Sequence, residues 1–390
     1  DYGLKVGGAE VTSSVTSGPR WSYNPNTKTL TLNGYTYSEE GKGDGTFSGG
    51  IYSTSDLTIE LIGNNSVNNT YSHQYNYSCG IFVKGKLTIT GDGSLATSGG
   101  SGVDGKGSYG IMAGGLTVNS GTITATGRTA KESYGIGTIG QSKNIIVNGG
   151  TITATGSVST VNGSCGIQCS GNFKMNGGRV TAKSEGVQNS SSQSCGISSG
   201  GSISCSSGGV LAAEGQTKAM YSSESTYPNG YTKGDKTFRT YDIAESNMYT
   251  VSGVNSNGWA NSEVKLTATS GYTISKTANG AFDSSISFTD EASSGVFYIK
   301  KTSDGTIYKG TISYNLDKTA PKISGATDGG IYCVSKSITV NDSHMKEVKD
   351  GKTVLGASNG TYTLPAGTHN ITATDLAGNS TSITVTVNEA

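Results

Sequence analysis

The chain is short of several things at once. It holds five prolines among 390 residues, and its 60 glycines follow no Gly-X-Y register, which excludes collagen. No stretch approaches the roughly 18 consecutive apolar residues that read as a membrane span, so no membrane insertion is expected within it. Asp1 opens directly on polar sequence with no apolar signal segment, and the chain reads as a mature or trimmed piece. Charge is scarce and balanced: Lys+Arg and Asp+Glu number 28 each, giving a formal net charge of zero. A nucleic-acid duplex or an anionic membrane surface would meet no general attraction, and nucleic-acid binding is not expected. The three histidines, His73, His344 and His369, are scattered and make no zinc spacing with the six cysteines, so neither a metal nor a cofactor is expected. The hydrophobic fraction of 33% is low, but the glycines bring the total near the range of folded chains, and disorder is not implied.

What the chain does hold is a repeat. Tyr134 to Gly156, YGIGTIGQSKNIIVNGGTITATG, is written again with variations from Cys79, Tyr109, Cys165 and Cys195. The isoleucines of the Gly-Ile pairs, Ile51, Ile81, Ile111, Ile136, Ile167 and Ile197, lie 30, 30, 25, 31 and 30 residues apart. A period of this size marks units that cannot bury an apolar face alone and must stack. Each unit has three short runs with period-two alternation, such as Tyr109 to Ala113, Leu116 to Val118 and Thr122 to Thr126. Alternate side chains of a strand face opposite sides, so Ile111, Leu116, Val118, Ile123 and Ala125 share an inner face while Met112, Thr117 and the flanking threonines point out. Three strands per coil predict a right-handed parallel β-helix of about six coils, spaced roughly 4.8 Å apart.

The bend between the second and third runs carries Asn119, Asn148 and Asn176 at matching offsets, with Ser206 next. Asn tolerates the left-handed backbone of a tight bend, and stacked amides bond from coil to coil, which predicts an asparagine ladder. Cys79, Cys165 and Cys195 stand where Tyr109 and Tyr134 stand in other coils, two before the inward isoleucine. Strict alternation places them on the inner face, and Cys169 and Cys205 also match inward positions. Cys165 and Cys195 lie on adjacent coils, within the Cα reach of a disulfide, and equally within the pattern of buried free thiols.

Before the coils, Asp1 to about Gly50 supplies a cap, with Trp21, Leu30, Leu32 and Tyr35 as the lid that an open first coil requires. Residues 1–222 form the capped β-helix and 223–247 an end cap and linker. Beyond them, TVSGVNSNGWANSEVKLTA from Thr250 aligns with KISGATDGGIYCVSKSITV from Lys322 at a fixed offset of 72, from Gly253 to Gly325 and from Leu266 to Ile338. Alternating runs in each copy predict two small β-sandwiches, 248–318 and 319–390.

The junction Asn315-Leu316-Asp317-Lys318-Thr319-Ala320-Pro321 and the segment Ala373-Thr374-Asp375-Leu376-Ala377-Gly378-Asn379-Ser380 resemble the tandem immunoglobulin-like modules of Firmicutes cell-surface proteins. The Gly-Ile coils, with WSYNPNTKTLTLNGY and DLTIELIGNNSV before them, are similar to the parallel β-helix regions, often named carbohydrate-binding-like, found beside such modules. The resemblance covers nearly the whole chain and implies an extracellular, cell-wall-associated protein, with signal and anchor lying outside this fragment. Abundant threonine, serine, asparagine and tyrosine with only four arginines suit that setting.

Parallel β-helices also resemble pectate lyases and polygalacturonases, whose chemistry needs paired carboxylates or an acidic calcium cluster beside a base. The outward positions of the first strand are Phe82, Met112, Gly137, Gln168 and Ser198, none of them ionisable, and the acids of the coils fall singly. No catalytic residues are therefore assigned. Two surfaces remain for binding. The connection NNTYSHQYNYS gathers Tyr71, His73, Tyr75 and Tyr77, which either stack on sugar rings or pack on the cap. The third-strand threonines, Thr122, Thr124 and Thr126 beneath Thr151, Thr153 and Thr155, resemble an ice-binding array but are interrupted by Arg179 and Lys183, and read as an ordinary solvated face. The sequence points to a non-enzymatic surface protein that binds a glycan or polysaccharide. The alternatives are a β-helix polysaccharide lyase or glycoside hydrolase, and a structural stalk or adhesin that binds a host surface protein.

Overall fold

A computed structural model of the chain describes residues 1–71, 77–101, 106–188, 192–206, 209–291 and 293–388. The chain divides into two compact units, Asp1–Thr240 and Tyr241–Ala390. Both are built of strands. The one helix among the described residues is a single 3-10 turn, Ser246–Met248, and no helix is long and apolar enough to cross a membrane.

The first unit is a β-solenoid of about six turns, whose three faces are three parallel sheets. One coil comprises Gly107–Ala113, Leu116–Val118 and Thr122–Gly127, and the next comprises Ala130–Thr138, Ile145–Val147 and Thr151–Gly156. The register is residue for residue: Ile81 pairs Ile111, Ile111 pairs Ile136, Ile136 pairs Ile167 and Ile167 pairs Ile197. All of these isoleucines are 0–1% exposed in a single core that runs the length of the unit. On the second sheet Leu87, Leu116, Ile145 and Phe173 continue the same inward column.

Both ends of that core are closed. The hairpin Leu4–Val6 and Ala9–Val11 lies antiparallel against Phe47–Ser53, while Thr29–Asn33 runs parallel to Leu57–Ile62 and carries Trp21–Asn24 on its far edge. Trp21, Leu30, Leu32 and Tyr35 are buried in the solenoid core. At the other end Thr237–Arg239 pairs antiparallel with Gly209–Glu214, and Tyr227, Tyr231 and Phe238 pack on the last coil.

The first strand of each coil departs from strict alternation, and the cause is glycine. A Cβ built on Gly110 would lie 2.5 Å from Thr126 N and 2.7 Å from Gly135 O, and one on Gly135 would lie 2.5 Å from Thr155 N and 2.7 Å from Gly166 O. These glycines face the interior against the backbone of the third sheet, and the isoleucines that follow them face the interior too. Two successive residues therefore point in, and the phase slips by one. The backbone here has no positive φ, so the requirement is for space rather than for an unusual conformation. The residue before each glycine is thereby turned outward, and the one before that inward. Ser108, Ser133, Ser164 and Ser194 are the inward residues, fully buried. Ser133 Oγ donates to Gly127 O at 2.9 Å and Ser164 Oγ to Gly156 O at 2.9 Å, tying the bend after the third strand to the start of the next coil.

The second unit has two cores. Val264, Leu266, Ile274, Phe297 and Ile299 fill the first, between a three-stranded and a four-stranded sheet, and Ile338, Val340, Val348, Ile371 and Val385 fill the second, between a three-stranded and a five-stranded sheet. The halves match in one unusual detail: Trp259–Ala260 pairs parallel with Asn315–Leu316, and Gly330–Tyr332 pairs parallel with Ser380–Val387. The two junction motifs are in contact. Asp375, fully buried, accepts hydrogen bonds from the backbone N–H groups of Gly378 (2.6 Å) and Asn379 (2.8 Å), and the Asn379 amide donates to Asp317 O at 2.8 Å.

Replacing Gly135 by Ala puts a methyl group into backbone that cannot yield, and is expected to cost about 1–3 kcal/mol. Ile136→Val, which only removes a methylene from the core, is expected to cost about 0.5–1.5 kcal/mol. Urea unfolding of the two variants checks the order. If Gly135→Ala is the milder change, the corner contact is not what fixes this position.

Candidate functional site

The phase slip decides what the outer face of the first sheet carries. Tyr109, Tyr134, Cys79, Cys165 and Cys195, expected inside by strict alternation, face outward instead. Cys79 and Tyr109 pack in a second apolar cluster, separate from the core, with Tyr52, Phe82 and Met112, and Phe47, Tyr77 and Tyr134 lie against it. Cys169, by contrast, is inside the core, and Cys205 packs partly against it.

The rings of this outer cluster form a continuous stripe along the first coils. Phe47 stacks on Phe82 with centroids 4.5 Å apart and on Tyr77 at 5.3 Å, Tyr77 meets Tyr109 edge-on at 6.1 Å, and Tyr109 meets Tyr134 at 5.2 Å. The Lys106 ammonium lies over the Tyr77 ring at 5.9 Å, a cation–π contact. Gly137, the next residue in the outward column after Met112, is kept free of a side chain by the Tyr109 ring, which a Cβ would meet at 2.6 Å. Such stacking between successive coils stabilises the face by roughly 0.5–1.5 kcal/mol per ring pair beyond area burial.

Two hydroxyls of the stripe, those of Tyr109 and Tyr52, are anchored. Tyr109 donates to Glu132 Oε2 at 3.1 Å, and Asn162 donates to Glu132 Oε1 at 3.1 Å. Tyr52 donates to Asp44 Oδ2 at 3.1 Å. Burial, and then the Asp44 carboxylate, pushes the Tyr52 phenol up to about 12. Burial, and then Glu132, pushes Tyr109 well above its ordinary value. Burial opposes ionisation of Asp44, but the N–H groups of Phe47 and Thr46 and the Tyr52 hydroxyl outweigh it and hold the carboxylate below its usual range. The phenols stay neutral at physiological pH and the carboxylates are occupied, an arrangement suited to hydrogen bonding and ring contact rather than to proton transfer.

Of the four residues singled out in the Tyr71 to Tyr77 connection, His73 and Tyr75 lie outside the described residues. Tyr71 and Tyr77 are both half-buried, and Tyr77 is the member that joins the stripe. Asn148 Nδ2 donates to Asn119 Oδ1 at 2.9 Å and Asn176 Nδ2 to Asn148 Oδ1 at 2.8 Å, on an exposed edge. A second set at the bend between first and second strands was not read from the sequence: Asn144 Oδ1 accepts from Asn172 N at 2.8 Å, and Asn172 Oδ1 from Ser202 N at 2.8 Å. Its signal is the recurrence of Asn144 and Asn172 one residue before the second strand. Both sets are structural in their bonding.

Each unit also carries a cleft. One, of about 470 Å³, lies on the outer face of the second sheet and is lined by Tyr23, Thr29, Thr31, Thr58, Glu60 and Thr90, with Thr31 donating to Glu60 Oε2 at 2.9 Å. The other, of about 330 Å³, lies in the second unit beside Trp259, Glu291, Asp317 and His344. There Asp317, Asp342 and His344 bring one donor atom each within 4.8 Å of one another, the one such group of three among the described residues. A mixed imidazole and carboxylate set is of the kind a divalent cation takes. In the structure the set is bonded internally: His344 Nδ1 contacts Asp317 Oδ2 at 2.8 Å, Asp342 Oδ1 accepts His344 N at 2.7 Å, and the Trp259 ring packs on the imidazole at 4.5 Å. No zinc spacing betrays this group in the sequence, because its members come from a junction and a turn that only folding brings together.

No family model matches the chain, and no curated protein matches it. Among solved structures it is similar to the three N-terminal domains of the bacteriophage RB49 Highly Immunogenic Outer Capsid protein (Hoc), at 15% identity over 36% of this chain, with a TM-score of 0.18. The match spans 59% of that structure's length.

A further titratable site in the second unit is His369, 7% exposed. Its Nδ1 contacts Asp350 Oδ2 at 2.6 Å and its Nε2 contacts Pro365 O at 2.8 Å. A carbonyl only accepts, and so does an ionised carboxylate, so both ring nitrogens donate and the imidazole is positively charged. Burial pulls its pKa down, but the bonds to Asp350 and Pro365 prevail and the net shift is upward. With the folded pKa above the unfolded one, the stabilisation is fully present below about pH 6.5 and is lost as pH rises through the folded value. Thermal unfolding of the second unit is expected to shift downward between pH 6 and pH 8, and His369→Gln to flatten that dependence. An unchanged pH profile in the variant would show that another group is responsible.

Proposed function

We propose that the chain is a non-enzymatic bacterial surface protein whose solenoid binds a polysaccharide, with the second unit, as two immunoglobulin-like modules, serving as a spacer that holds the solenoid away from an extracellular, cell-wall-associated anchor. The observation that carries this is the aromatic stripe on the outer face of the first sheet. Its half-buried rings Tyr77 and Tyr134 lie beside Lys106 and Glu132, so stacking surface, a cation and hydrogen-bonding groups converge on one face. Sugar rings take that combination: their C–H faces stack on aromatic rings while their hydroxyls bond polar groups at the rim.

The placement of the acids supports binding over cleavage. Glu132 and Asp44, the acids that touch the stripe, are each engaged by a tyrosine hydroxyl and further donors, and neither is presented as an acid–base pair across an open groove. The threonine-lined cleft of the second sheet offers hydroxyls but no aromatic platform open to a ring, since Tyr23 is itself buried.

Titration of a polysaccharide panel by calorimetry tests the proposal. Tyr77→Ala is expected to weaken the best ligand roughly tenfold, the loss of about one stacking contact, while Thr124→Ala on the third sheet leaves affinity unchanged. Full affinity in the triple variant Tyr71→Ala, Tyr75→Ala, Tyr77→Ala, with far-UV dichroism unaltered, would remove this face as the seat of binding. Release of reducing ends or unsaturated products from any panel member would replace binding by catalysis.

A further inference from the structure

The outward turn imposed by the corner glycine sets two thiols against each other. Along the outer column that begins at Gly49 and passes through Cys79, Tyr109 and Tyr134, the next two residues are Cys165 and Cys195, followed by Lys218. Cys165 and Cys195 are direct Cα partners on adjacent parallel strands. Neighbouring strands lie about 4.7–4.9 Å apart, inside the roughly 4.4–6.8 Å Cα window of a disulfide. Both side chains project from the same face, yet both thiols are free.

No other pair of the six cysteines is so placed. Cys79 stands between Gly49 and Tyr109. Cys169 is opposite Ser199 and donates inward to Lys143 O and Asn172 O. Cys205 is opposite Met175, and Cys333 is an exposed residue of the second unit.

We infer that Cys165 and Cys195 are a redox-active dithiol, closed by a hydroperoxide into a disulfide that staples two adjacent coils near the C-terminal end of the solenoid. The two thiols are not equivalent. Cys195 lies between the Cys165 thiol and the Lys218 residue opposite it. The hydrogen bond from Cys165, against the opposing effect of burial, and then the Lys218 ammonium and the Thr217 hydroxyl, lower its pKa. Cys165 is raised by the same bond and by burial. Cys195 is thus the nucleophile and Cys165 the resolving thiol.

The chemistry balances. The Cys195 thiolate attacks one oxygen of the hydroperoxide, forming an S–O bond as the O–O bond breaks, and the alkoxide or hydroxide that leaves takes up a proton. Cys165 sulfur then attacks the sulfenic sulfur, forming the S–S bond as the S–O bond breaks, and the departing hydroxide carries away the Cys165 proton as water. Two thiols give up two electrons, and the hydroperoxide is reduced to alcohol or water. Burial at 3% and 0% exposure admits a reagent of that size more readily than a bulky disulfide. The staple encloses about 30 residues of chain at the end of the solenoid where, in the first strand, only one further rung, Lys218–Ser222, follows. That is a place where coils otherwise separate first.

The full chain, reduced and then exposed to hydrogen peroxide, is expected to lose two of its six thiols, and peptide mapping is expected to find one linkage, Cys165 to Cys195. The oxidised protein is expected to melt several degrees higher. Cys165→Ser is expected to stop at a sulfenic acid on Cys195 that dimedone labels, Cys195→Ser to give no adduct at Cys165, and Cys333→Ser to behave as the parent chain. Retention of all six thiols, a linkage between any other pair, or advance of Cys195 to the sulfonic acid without linkage overturns the inference, and each is read on the parent chain without any variant. None of these outcomes depends on a polysaccharide being bound.

Discussion

A contact between glycine and backbone governs the first unit. In successive coils, at Gly110, Gly135, Gly166 and Gly196, the first strand passes so close to the third sheet that the nearest atoms are backbone atoms of that sheet or of the next coil. No side chain fits, and no side chain is needed, since the isoleucine that follows fills the space beyond. The cross-section of the solenoid is set at this corner, and the phase of everything upstream in the strand is set with it. The buried serines follow as a consequence: a residue forced inward beside a backbone corner must be small, and must also answer the polar groups around it, which the hydroxyls of Ser133 and Ser164 do by donating to Gly127 O and Gly156 O. Among the described residues every buried side-chain nitrogen or oxygen has a partner, and these hydroxyls are part of the reason.

The same corner explains why an apolar cluster exists on the outside. The phase slip turns outward the residue before each glycine, which strict alternation would place inside, so that its column flanks the outward column after the isoleucine. Two neighbouring outward columns can support rings that cover one another, where a single column would leave each ring exposed on its edges. Tyr52 and Phe82 in one column and Phe47, Tyr77 and Tyr109 in the others bury each other in this way. An outer face with its own packed layer resists solvent, whereas the threonines of the third sheet present only hydroxyls above a backbone.

Much of this was legible in the sequence, and the part that was not has a physical cause. The inward column of isoleucines, the three strands per coil and the 72-residue offset of the second unit all rest on side-chain patterns that recur at a fixed interval. The facing of Cys79, Tyr109, Tyr134, Cys165 and Cys195 did not follow, because counting by twos assumes that no residue is skipped, and Gly-Ile places two residues inside in succession. The clue was present: Ser-X-Gly-Ile, with serine at Ser78, Ser108, Ser133, Ser164 and Ser194, repeats as faithfully as the isoleucine does. A serine that never varies in a strand otherwise free to vary is more naturally a buried hydroxyl than a solvated one. The Asp317, Asp342 and His344 group lay beyond this kind of reading altogether, since it depends on where the junction and a turn of the second half meet.

Along its axis the outer face changes character while its backbone does not. The register that carries Cys79, Tyr109, Tyr134 and Tyr52, Phe82, Met112 through the first coils carries Cys165, Cys195 and Gln168, Ser198 through the later ones, and ends at Lys218 and Tyr221. A repeat that varies most where side chains leave the core can hold two chemistries on one face with the same backbone, because the inward residues set the stacking of the coils. The aromatic zone lies at the coils nearest the N-terminal cap, where ring stacking adds rigidity to a platform. The thiol zone lies near the opposite end, where the solenoid is closed by a single antiparallel strand and a few tyrosines, and where a covalent link between coils adds most to what the non-covalent cap already supplies.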